Sequence, residues 1–421
     1  MHDFCGIDFG TSNSTLGVLK GNQASLVSLE GNKDEIPSAL FFDSDTEEVT
    51  FGRAAIKNYI DGYDGRFMRA LKSILGNSLI NEKTRIGRKN YSFQDILALF
   101  IRHLKKQGER ETGTELKRLV LGRPVFFVDH DGVADKQAET TLEAIARSSG
   151  FDDVTFQYEP IAAALDYEQT ISGEKTALIV DIGGGTADFS VVKVSENKKN
   201  KVDRFDDILS TNGIHIGGTD FDRVLNLKAV MPHLGYSSEI KDNFSDNILE
   251  IPSVYYHDLS TWHKINFLYS NKIVEEVKQL HRKSLSPQLI QRLLKVLEDQ
   301  QGHNLSLEVE RTKIALSSQD KTAINLSKIE NDLLPEIELQ TFIETISTLV
   351  EDLKLTLKDT LLMAGVTPKD IGAVFFTGGS TAIPFVRQEL LSLIPEADII
   401  DGDMFGSVGK GLILEAQKRY L

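Results

Sequence analysis

The sequence predicts an α/β fold made of two similar lobes, and three observations support this prediction. An apolar run ending in Asp-x-Gly, followed by hydroxyl residues and a second apolar run, occurs twice, once at Asp8 and once at Asp181. After each copy, strand-rich sequence gives way to helical sequence in the same order. The chain has 421 residues, and since roughly 100–200 residues form one domain, we expect two to four structural units.

Each copy of the duplicated motif predicts a hairpin that can bind an anion. Its two apolar strands are joined by a glycine-bearing turn, and glycine both tolerates φ > 0 and lets phosphate oxygens approach the main chain. Asp8 or Asp181, just before the turn, suits a hydrated divalent cation, which prefers carboxylate and water oxygens. A tight hairpin without a ligand would explain the glycines, but not an aspartate and hydroxyls in both copies. Two such hairpins facing each other therefore predict a clamp for one polyphosphate.

The remaining elements follow from periodicity and from helix-ending residues. A charged stretch from Ser195 to Asp207 predicts a surface loop, and the histidine spacing within 231–305 fits no metal-binding template. Helices are predicted at 93–104, 136–149, 161–167, 273–280, 289–297, 342–363, 384–393 and 407–417, and further strands at 120–125 and 373–376.

Composition and charge exclude several classes of partner. Apolar residues make up 41% and charged residues 26% of the chain, which is ordinary for a globular protein. The formal net charge of −15 argues against nucleic acid or an anionic membrane as the main partner. It also means that a phosphate ligand must be held by local features, because the overall field repels it.

Cysteine content and hydropathy bear on the compartment. The single cysteine, Cys5, lies in an apolar strand and excludes both an internal disulfide framework and a cysteine-ligated zinc site. The first strand begins by Phe4, so we expect no signal peptide, and no apolar run approaches the length of a membrane span. We expect a cytoplasmic protein.

Six motifs in register resemble the ATPase half of the heat-shock-protein-seventy (DnaK-type) chaperones, a family with the actin-like ATPase fold. The resemblance implies two duplicated, ribonuclease-H-like α/β lobes around a central nucleotide cleft. The matching motifs are GIDFGTSNS (6–14), QYEPIAAALDY (157–167), VDIGGGTADFS (180–190), IHIGGTDFD (214–222), ERTKIALS (310–317) and FTGGSTAIP (376–384).

The resemblance assigns phosphate and metal contacts to the two hairpins. The phosphate contacts it implies are Gly10, Thr11, Ser12 and Asn13 in the first hairpin and Gly183, Gly184, Gly185 and Thr186 in the second, with Thr186 at the γ-phosphate. Asp8, Asp181 and Asp188 would hold Mg²⁺ largely through water, and K⁺ is a further candidate cation.

The catalytic residues implied by the resemblance are Lys72, Glu159, Asp181 and Thr186. Lys72 matches a lysine four residues before a glycine, here Gly76, and would face the γ-phosphate; otherwise it is a solvated helix lysine. Glu159, before a proline, would orient the attacking water or a metal-bound water. Without the resemblance, a glutamate there is only a favourable charge at a helix start, contributing about 0.3–1 kcal/mol.

The nucleoside contacts rest mainly on the resemblance. By spacing alone, Glu310, Lys313 and Ser317 form an ordinary exposed stripe on one helix face. The resemblance assigns nucleoside or phosphate contacts to Gly217, Gly218, Glu310, Lys313, Ile314, Ser317, Gly378, Gly379, Ser380 and Ala382.

Several departures from the family pattern stand out. Ile314 and Ala382 occupy positions where typical members have arginines that sandwich the adenine, which puts base selectivity in doubt. The segment from 218 to 310 is much longer than its counterpart, and we expect no interdomain linker or peptide-binding domain. These features, together with the segment QYEPIAAALDYE (157–168), resemble the abbreviated YegD-type subgroup.

The predicted division of the chain has three parts. Lobe I comprises 1–171 plus 396–421, the inner part of lobe II comprises 172–216 plus 336–395, and an enlarged outer part comprises 217–335 with an insertion within 231–305.

The predicted function is a Mg²⁺-dependent ATP-binding switch that hydrolyses ATP slowly. The alternative is a nucleotide-dependent scaffold with little hydrolysis, and a small-molecule kinase on the same fold is a third class. We expect a monomer with an unidentified protein partner or client and without a nucleic-acid or membrane partner.

Overall fold

The computed structural model describes residues 2–421 except 70, 76–77, 88, 129–130, 169–170, 172, 199–200, 202, 242–246 and 401–405. Its strands are β1 (Phe4–Phe9), β2 (Asn13–Lys20), β3 (Gln23–Leu26), β4 (Glu35–Pro37), β5 (Ala39–Asp43), β6 (Val49–Phe51), β7 (Gly65–Arg69), β8 (Lys83–Ile86), β9 (Lys89–Ser92), β10 (Arg118–Arg123), β11 (Asp153–Tyr158), β12 (Glu174–Ile182), β13 (Ala187–Ser195), β14 (Ile208–Ile214), β15 (Glu239–Lys241), β16 (Ile248–Glu250), β17 (Lys321–Ala323), β18 (Glu336–Glu338), β19 (Ile371–Thr377) and β20 (Asp398–Ile400).

Helices account for most of the remaining described chain. The α-helices are α1 (Gly52–Ile60), α2 (Phe93–Thr112), α3 (Gly132–Ser148), α4 (Glu159–Glu168), α5 (Gly218–Ala229), α6 (Val254–Leu259), α7 (Asn271–Lys283), α8 (Pro287–Glu298), α9 (Gly302–Leu316), α10 (Leu339–Ala364), α11 (Pro384–Leu391) and α12 (Ser407–Tyr420). The 3₁₀ helices are Leu71–Ile74, Ser78–Asn81, Glu196–Lys198, Phe205–Asp207, Met231–Leu234, Trp262–Tyr269, Pro368–Asp370 and Gly379–Ala382.

The chain divides into two compact units. The first comprises Met1–His215, Lys354–Thr381 and Leu390–Leu421, and the second comprises Ile216–Leu353 and Ala382–Glu389. The three-part division expected from sequence stays a prediction.

Two sheets of the first unit have the same strand arrangement. One runs β3-β2-β1-β10-β11, with β4 paired to β2, and the other runs β14-β13-β12-β19-β20. In each, a hairpin of antiparallel strands continues into two further parallel strands. The duplicated sequence motif therefore corresponds to a duplicated sheet, and the mixed α/β fold class is confirmed.

Two apolar clusters of described residues stabilise the first unit. One packs β1, β2 and β10 against α2 and α3. The other joins α4 and α12 to residues of both sheets, including Val120 of β10 and Phe375 of β19. Helix α12 approaches its neighbours so closely that a Cβ on Gly411 would lie 1.8 Å from the carbonyl oxygen of Ala162. Small residues are required at this helix crossing, because any added atom meets backbone.

The second unit is mainly helical, with two short two-stranded sheets, β15-β16 and β17-β18. Helix α8 begins with Pro287 at its first position, and helices α7 and α8 pack against each other. Val277 on α7 and Ile290 and Leu294 on α8 are buried. The helix pair expected from periodicity is therefore present.

The stretch from Ser195 to Asp207 differs from the predicted surface loop. Arg204 and Asp207 are buried, and the guanidinium of Arg204 donates to Glu168, at the end of α4, at 2.7 Å and to Asp207 at 2.6 Å. Charge pairing allows these residues to lie inside the protein, where a charge without a partner would be very costly.

Candidate nucleotide site

The first glycine-bearing turn joins β1 to β2 and is supported by a buried serine. Ser38 donates its amide to the carbonyl of Ser12 at 2.8 Å and its hydroxyl to the carbonyl of Gly10 at 2.7 Å. A Cβ on Gly10 would lie 2.2 Å from the carbonyl oxygen of Asn13. The turn is therefore closed tightly on itself, and only glycine fits at its first position.

The second turn joins β12 to β13 and has a corresponding support. The amide of Gly183 donates to the carbonyl of Thr186 at 2.9 Å, and the hydroxyl of Ser380 donates to the carbonyl of Gly183 at 3.0 Å. Gly378 has φ +79°, and its Cβ position lies 2.4 Å from the carbonyl oxygen of Ile182. Glycine is needed at 378 both for its left-handed backbone and for this approach.

The two turns touch each other. A Cβ built on Gly184 would lie 2.1 Å from the hydroxyl oxygen of Ser12, whereas one on Gly185 would meet no protein atom within 4 Å. The two hairpins therefore converge on one place, and the second turn leaves open space beside Gly185. An open concavity lined by backbone amides is a suitable place for phosphate oxygens.

One lysine and four carboxylates surround this point. The Nζ of Lys72 lies 2.6 Å from an Oε of Glu159, and both side chains are almost buried. Lys72 comes from a 3₁₀ helix, Glu159 opens α4, and the residue Gly76 of the predicted lysine motif lies outside the described residues. The other carboxylates belong to the hairpins: Asp8, Asp181 and Asp188.

The electrostatics of the cluster are those of a site short of positive charge. Burial, then Glu159, raises the pKa of Asp8 to about 7, and the same two causes raise that of Asp181 to about 6. Burial opposes the charge of Lys72, but Glu159 and Asp8 outweigh it and raise the pKa of the amine. The carboxylates outnumber the lysine, so the site favours bound cations or protons.

Asp188 differs from the other carboxylates because its side chain is exposed within a cavity. Protein atoms nevertheless surround most of the Asp188 carboxyl group. The resulting loss of hydration, followed by the negative charge of Asp181, raises the pKa of Asp188 to about 7. The exposure leaves its oxygens accessible to a bound ion.

The cavity beside these carboxylates has a volume of about 490 Å³. Glu159, Asp181 and Asp188 line one part of it, and the loop after β10, the start of α3, β14 and α10 are among the elements that line the rest. These wall residues were not predicted from sequence; they include Pro124, Val125, Phe126, Thr211, Asn212 and Met363.

Among the described residues, no group of three or more His, Cys, Asp or Glu side chains could hold a metal ion. The chemistry of the donor set still fits a hydrated cation, because Asp8 and Asp188 both lie close enough to Asp181 for its negative charge to raise their pKa. Mg²⁺ commonly keeps several water ligands and needs only one or two protein carboxylates.

The predicted nucleoside residues fall mostly in the second unit. Lys313 of α9 is buried, and its Nζ lies 2.9 Å from the carboxylate of Asp222 and 3.1 Å from the carbonyl of Gly218, both on α5. Glu310 and Ile314 are exposed on the same helix. Ser317 donates its hydroxyl to the carbonyl of Lys313 at 3.3 Å. The second unit therefore contains both an ion-paired lysine and an exposed apolar side chain on one helix.

The remaining predicted residues are also accounted for. Gly217 precedes α5 and is buried, Gly379 begins a 3₁₀ helix, and Ala382 is exposed at its end.

Comparison with known proteins identifies the family. The family described as "Hsp70 protein" matches residues 4–243 and 291–398. The chain is 30% identical over 394 residues to "Chaperone protein DnaK" of Thermosipho melanesiensis, an alignment that covers 91% of this chain and 54% of that protein. The chain thus spans about half the length of this relative. No helix in the described part of the chain is long and apolar enough to cross a membrane. With most of its length matched, the chain belongs to the Hsp70 family.

Proposed function

We propose that this chain binds ATP with Mg²⁺ at the two converging hairpins and hydrolyses it slowly, as a chaperone-type nucleotide switch. The observation that carries the proposal is the contact of Ser12 with the Gly184 turn beside one lysine and four carboxylates. Membership of a family known to bind ATP and ADP with Mg²⁺ supports it. The conformational change would follow from the differential affinity of two states for the γ-phosphate.

The first hairpin would bind the β- and γ-phosphates. The hydroxyls of Thr11 and Ser12 and the side-chain amide of Asn13 are half-buried and lie on or beside the turn. These groups, with the backbone amides of the turn, donate hydrogen bonds and offset the unfavourable net charge of the protein.

The second hairpin would bind the same phosphates from the other side. Gly183, Gly184 and Gly185 offer backbone amides. Thr186 lies between the two strands with its side chain exposed and hydrogen-bonded to Asp188, and it would contact the γ-phosphate. Ser380 supports this turn through Gly183 rather than by facing solvent. Its proposed role is therefore to hold a phosphate-binding backbone in place.

The charged residues would position the reaction. Lys72 would stabilise negative charge that develops on the γ-phosphate, and Glu159 and Asp181 would accept hydrogen bonds from the attacking water. When bound by Asp8, Asp181 and Asp188 largely through water, Mg²⁺ supplies charge neutralisation. Phosphoryl transfer requires little covalent chemistry, so positioning and electrostatics would account for the rate. K⁺ remains a proposed second cation.

The nucleoside contacts remain part of the proposal. Glu310, Lys313 and Ser317 would contact the ribose and base, and the exposed side chain of Ile314 would pack its apolar surface on the base. Without arginines at 314 and 382, we expect weaker adenine binding, by about 0.5–2 kcal/mol for each lost stacking contact.

The test measures nucleotide binding and phosphate release in parallel. Calorimetry with ATP and Mg²⁺ should detect binding to the wild-type chain, and phosphate release should be slow but above background. Thr186→Ala should lower the rate by at least about 10-fold with a smaller loss of affinity. Thr140→Ala, on the exposed surface of α3, is the matched control and should change neither quantity.

Other outcomes would favour other functions. ATP binding with equal, negligible phosphate release in wild type and Thr186→Ala would favour the nucleotide-dependent scaffold. ATP consumption that rises only when a hydroxyl-bearing acceptor is supplied would favour a kinase. Absence of heat with millimolar adenine and guanine nucleotides, with the chain folded, would contradict the whole proposal.

A further inference from the structure

A buried arginine beside the cavity has no role in the chemistry proposed above. Arg123 is the last residue of β10 and is 6% exposed. Its guanidinium lies 2.9 Å from the carboxylate of Asp135 and is also ion-paired with Glu139, both on α3. A single arginine therefore ties the end of a central strand to a neighbouring helix.

The same guanidinium also holds the loop that follows the strand. It donates to the carbonyls of Pro124 at 3.0 Å and Val125 at 3.1 Å. Asp135, its ion-pair partner, accepts a hydrogen bond from the amide of Phe127 at 2.6 Å. Three backbone groups of the loop are thus held by one charged pair, and the Phe127 ring lies 5.1 Å from the guanidinium carbon.

This loop is a wall of the candidate site. Pro124, Val125 and Phe126 line the same cavity as Glu159. In the parallel pairing of β10 with β11, Arg123 lies opposite Tyr158, whose ring is 5.3 Å from the guanidinium carbon. Tyr158 immediately precedes Glu159, so the arginine contacts both the wall and the residue that leads into the helix carrying the carboxylate.

Stability alone gives a poor reason for this arrangement. A buried ion cluster loses the hydration of each charged group, and an apolar side chain of similar volume often replaces it at no cost in stability. The planar fork of arginine, in contrast, fixes the directions of several acceptors at once. Arginine therefore serves here by fixing the directions of several hydrogen bonds at once, rather than by adding stability.

We propose that Arg123 is a positioning residue that holds the 124–128 wall and Tyr158 in place, so that Glu159 keeps its position and bulk water is excluded from the cavity. The inference rests on the proposed ATP hydrolysis for its kinetic consequence. The role proposed for Arg123 concerns the cavity wall and not the phosphate hairpins.

The experiment compares Arg123→Met with Arg118→Met. Arg118 is the matched control because it begins the same strand, pairs with Asp3 and lies 4.8 Å from the ring of Tyr420, away from the cavity. Arg123→Met should lower kcat by about 10- to 100-fold while KM for ATP stays within about 3-fold. Arg118→Met should leave both values near those of wild type, and Arg123→Lys should fall between because it restores charge without the fork.

Hydrogen exchange gives a readout independent of activity. Amides of 125–128 should exchange at least about 10-fold faster in Arg123→Met, with the hairpin amides unchanged. Because Arg123→Met removes the arginine partner of Asp135 and Glu139, the triple variant Arg123→Met, Asp135→Asn, Glu139→Gln provides a version without these two charges if the single variant does not fold. It should show the same loss of kcat.

Each outcome decides the inference. A folded variant with wild-type kcat and wild-type exchange at 125–128 would overturn it, as would equal losses in Arg123→Met and Arg118→Met. A wild-type chain without ATPase activity would overturn the proposed function instead, and the exchange rates would still show whether Arg123 holds the wall.

Discussion

The two phosphate hairpins have the same topology but different charges across their ladders. Asp8 of the first hairpin lies opposite Thr15, whereas Asp181 of the second lies opposite Asp188. The first hairpin therefore contributes one carboxylate and the second contributes two. A duplicated fold thus produces an asymmetric site, in which the second hairpin carries most of the negative charge available to a cation.

The hairpins also differ in how closely their turns are packed. At equivalent positions after the first strand, a Cβ on Gly10 would lie 2.2 Å from a backbone oxygen, but one on Gly183 would lie 3.8 Å from its nearest neighbour. At this position the first turn has no space for a side chain, whereas the second does.

The largest expected effect comes from replacing Lys72, whose positive charge acts on carboxylates of both hairpins. Lys72 is paired with Glu159 and influences the pKa of Asp8, Asp181 and Asp188. Lys72→Met should lower kcat by about 100-fold or more, equivalent to roughly 3 kcal/mol. Steady-state phosphate release measures it, with Lys20→Met, an exposed lysine at the end of β2, as the control. Wild-type kcat in Lys72→Met would remove Lys72 from the mechanism.

The difference in turn packing predicts unequal responses to the same substitution. Gly10→Ala should lower the free energy of unfolding by about 2–3 kcal/mol, because the added methyl group meets a backbone oxygen that cannot move independently. Gly183→Ala should cost less than about 1 kcal/mol, because its Cβ position is at ordinary contact distance. Urea denaturation of both variants without nucleotide tests this. Equal losses would show that the two turns do not differ in packing at this position.

Local sequence signals predicted the two hairpins and the repeated sheet. The hairpins were predicted because apolar runs bounded by glycine specify buried strands within a short window, and the repeat of Asp8 at Asp181 predicted the repeated sheet. The predicted surface loop at 195–207 was wrong for Arg204, because its partner Glu168 lies 36 positions away. A charged residue with a distant partner looks, in sequence, like a solvated one.

The site was less predictable than the fold. Lys72 and Glu159 are 87 positions apart, and only the family resemblance suggested that they belong together. Arg123 was missed, although a charged residue ending an apolar strand before Pro124 was an available signal. The burial of Lys313 against Asp222 could not be predicted from helix spacing alone, because it depends on how α9 packs on α5.

Raised pKa values make the chain without metal or nucleotide more stable at low pH. A carboxyl whose pKa is higher in the folded state binds protons more tightly there, so the stability that protonation gives is present below pH 4 and is lost as pH rises through about 6–7. With a discount for solvent access, the free energy of unfolding should fall by about 2 kcal/mol between pH 4 and pH 7.

The same titration tests carboxylates of both hairpins. The pKa of Asp8 is raised to about 7 and that of Asp181 to about 6, so Asp8→Asn and Asp181→Asn should each flatten the pH dependence relative to wild type. Urea denaturation in a chelator at several pH values provides the measurement. A stability that rises from pH 4 to pH 7 in both variants and in wild type would contradict the assigned direction.

The smallest expected effect tests the extra carboxylate of the second hairpin. Like charges directly opposite each other on adjacent strands destabilise a sheet, so Asp188→Asn should raise the stability of the metal-free chain at pH 8 by up to about 1 kcal/mol. Because the Asp188 side chain is exposed in the cavity, solvent reduces the repulsion and the gain stays small.

The same substitution should weaken the stabilisation that Mg²⁺ and ATP provide, since one of the proposed cation-binding carboxylates is lost. Thermal unfolding with and without Mg²⁺ and ATP measures both effects. A loss of stability without metal, or unchanged stabilisation by Mg²⁺ and ATP, would mean that Asp188 supports the hairpin rather than the cation, and the two hairpins would then be alike in function as well as in topology.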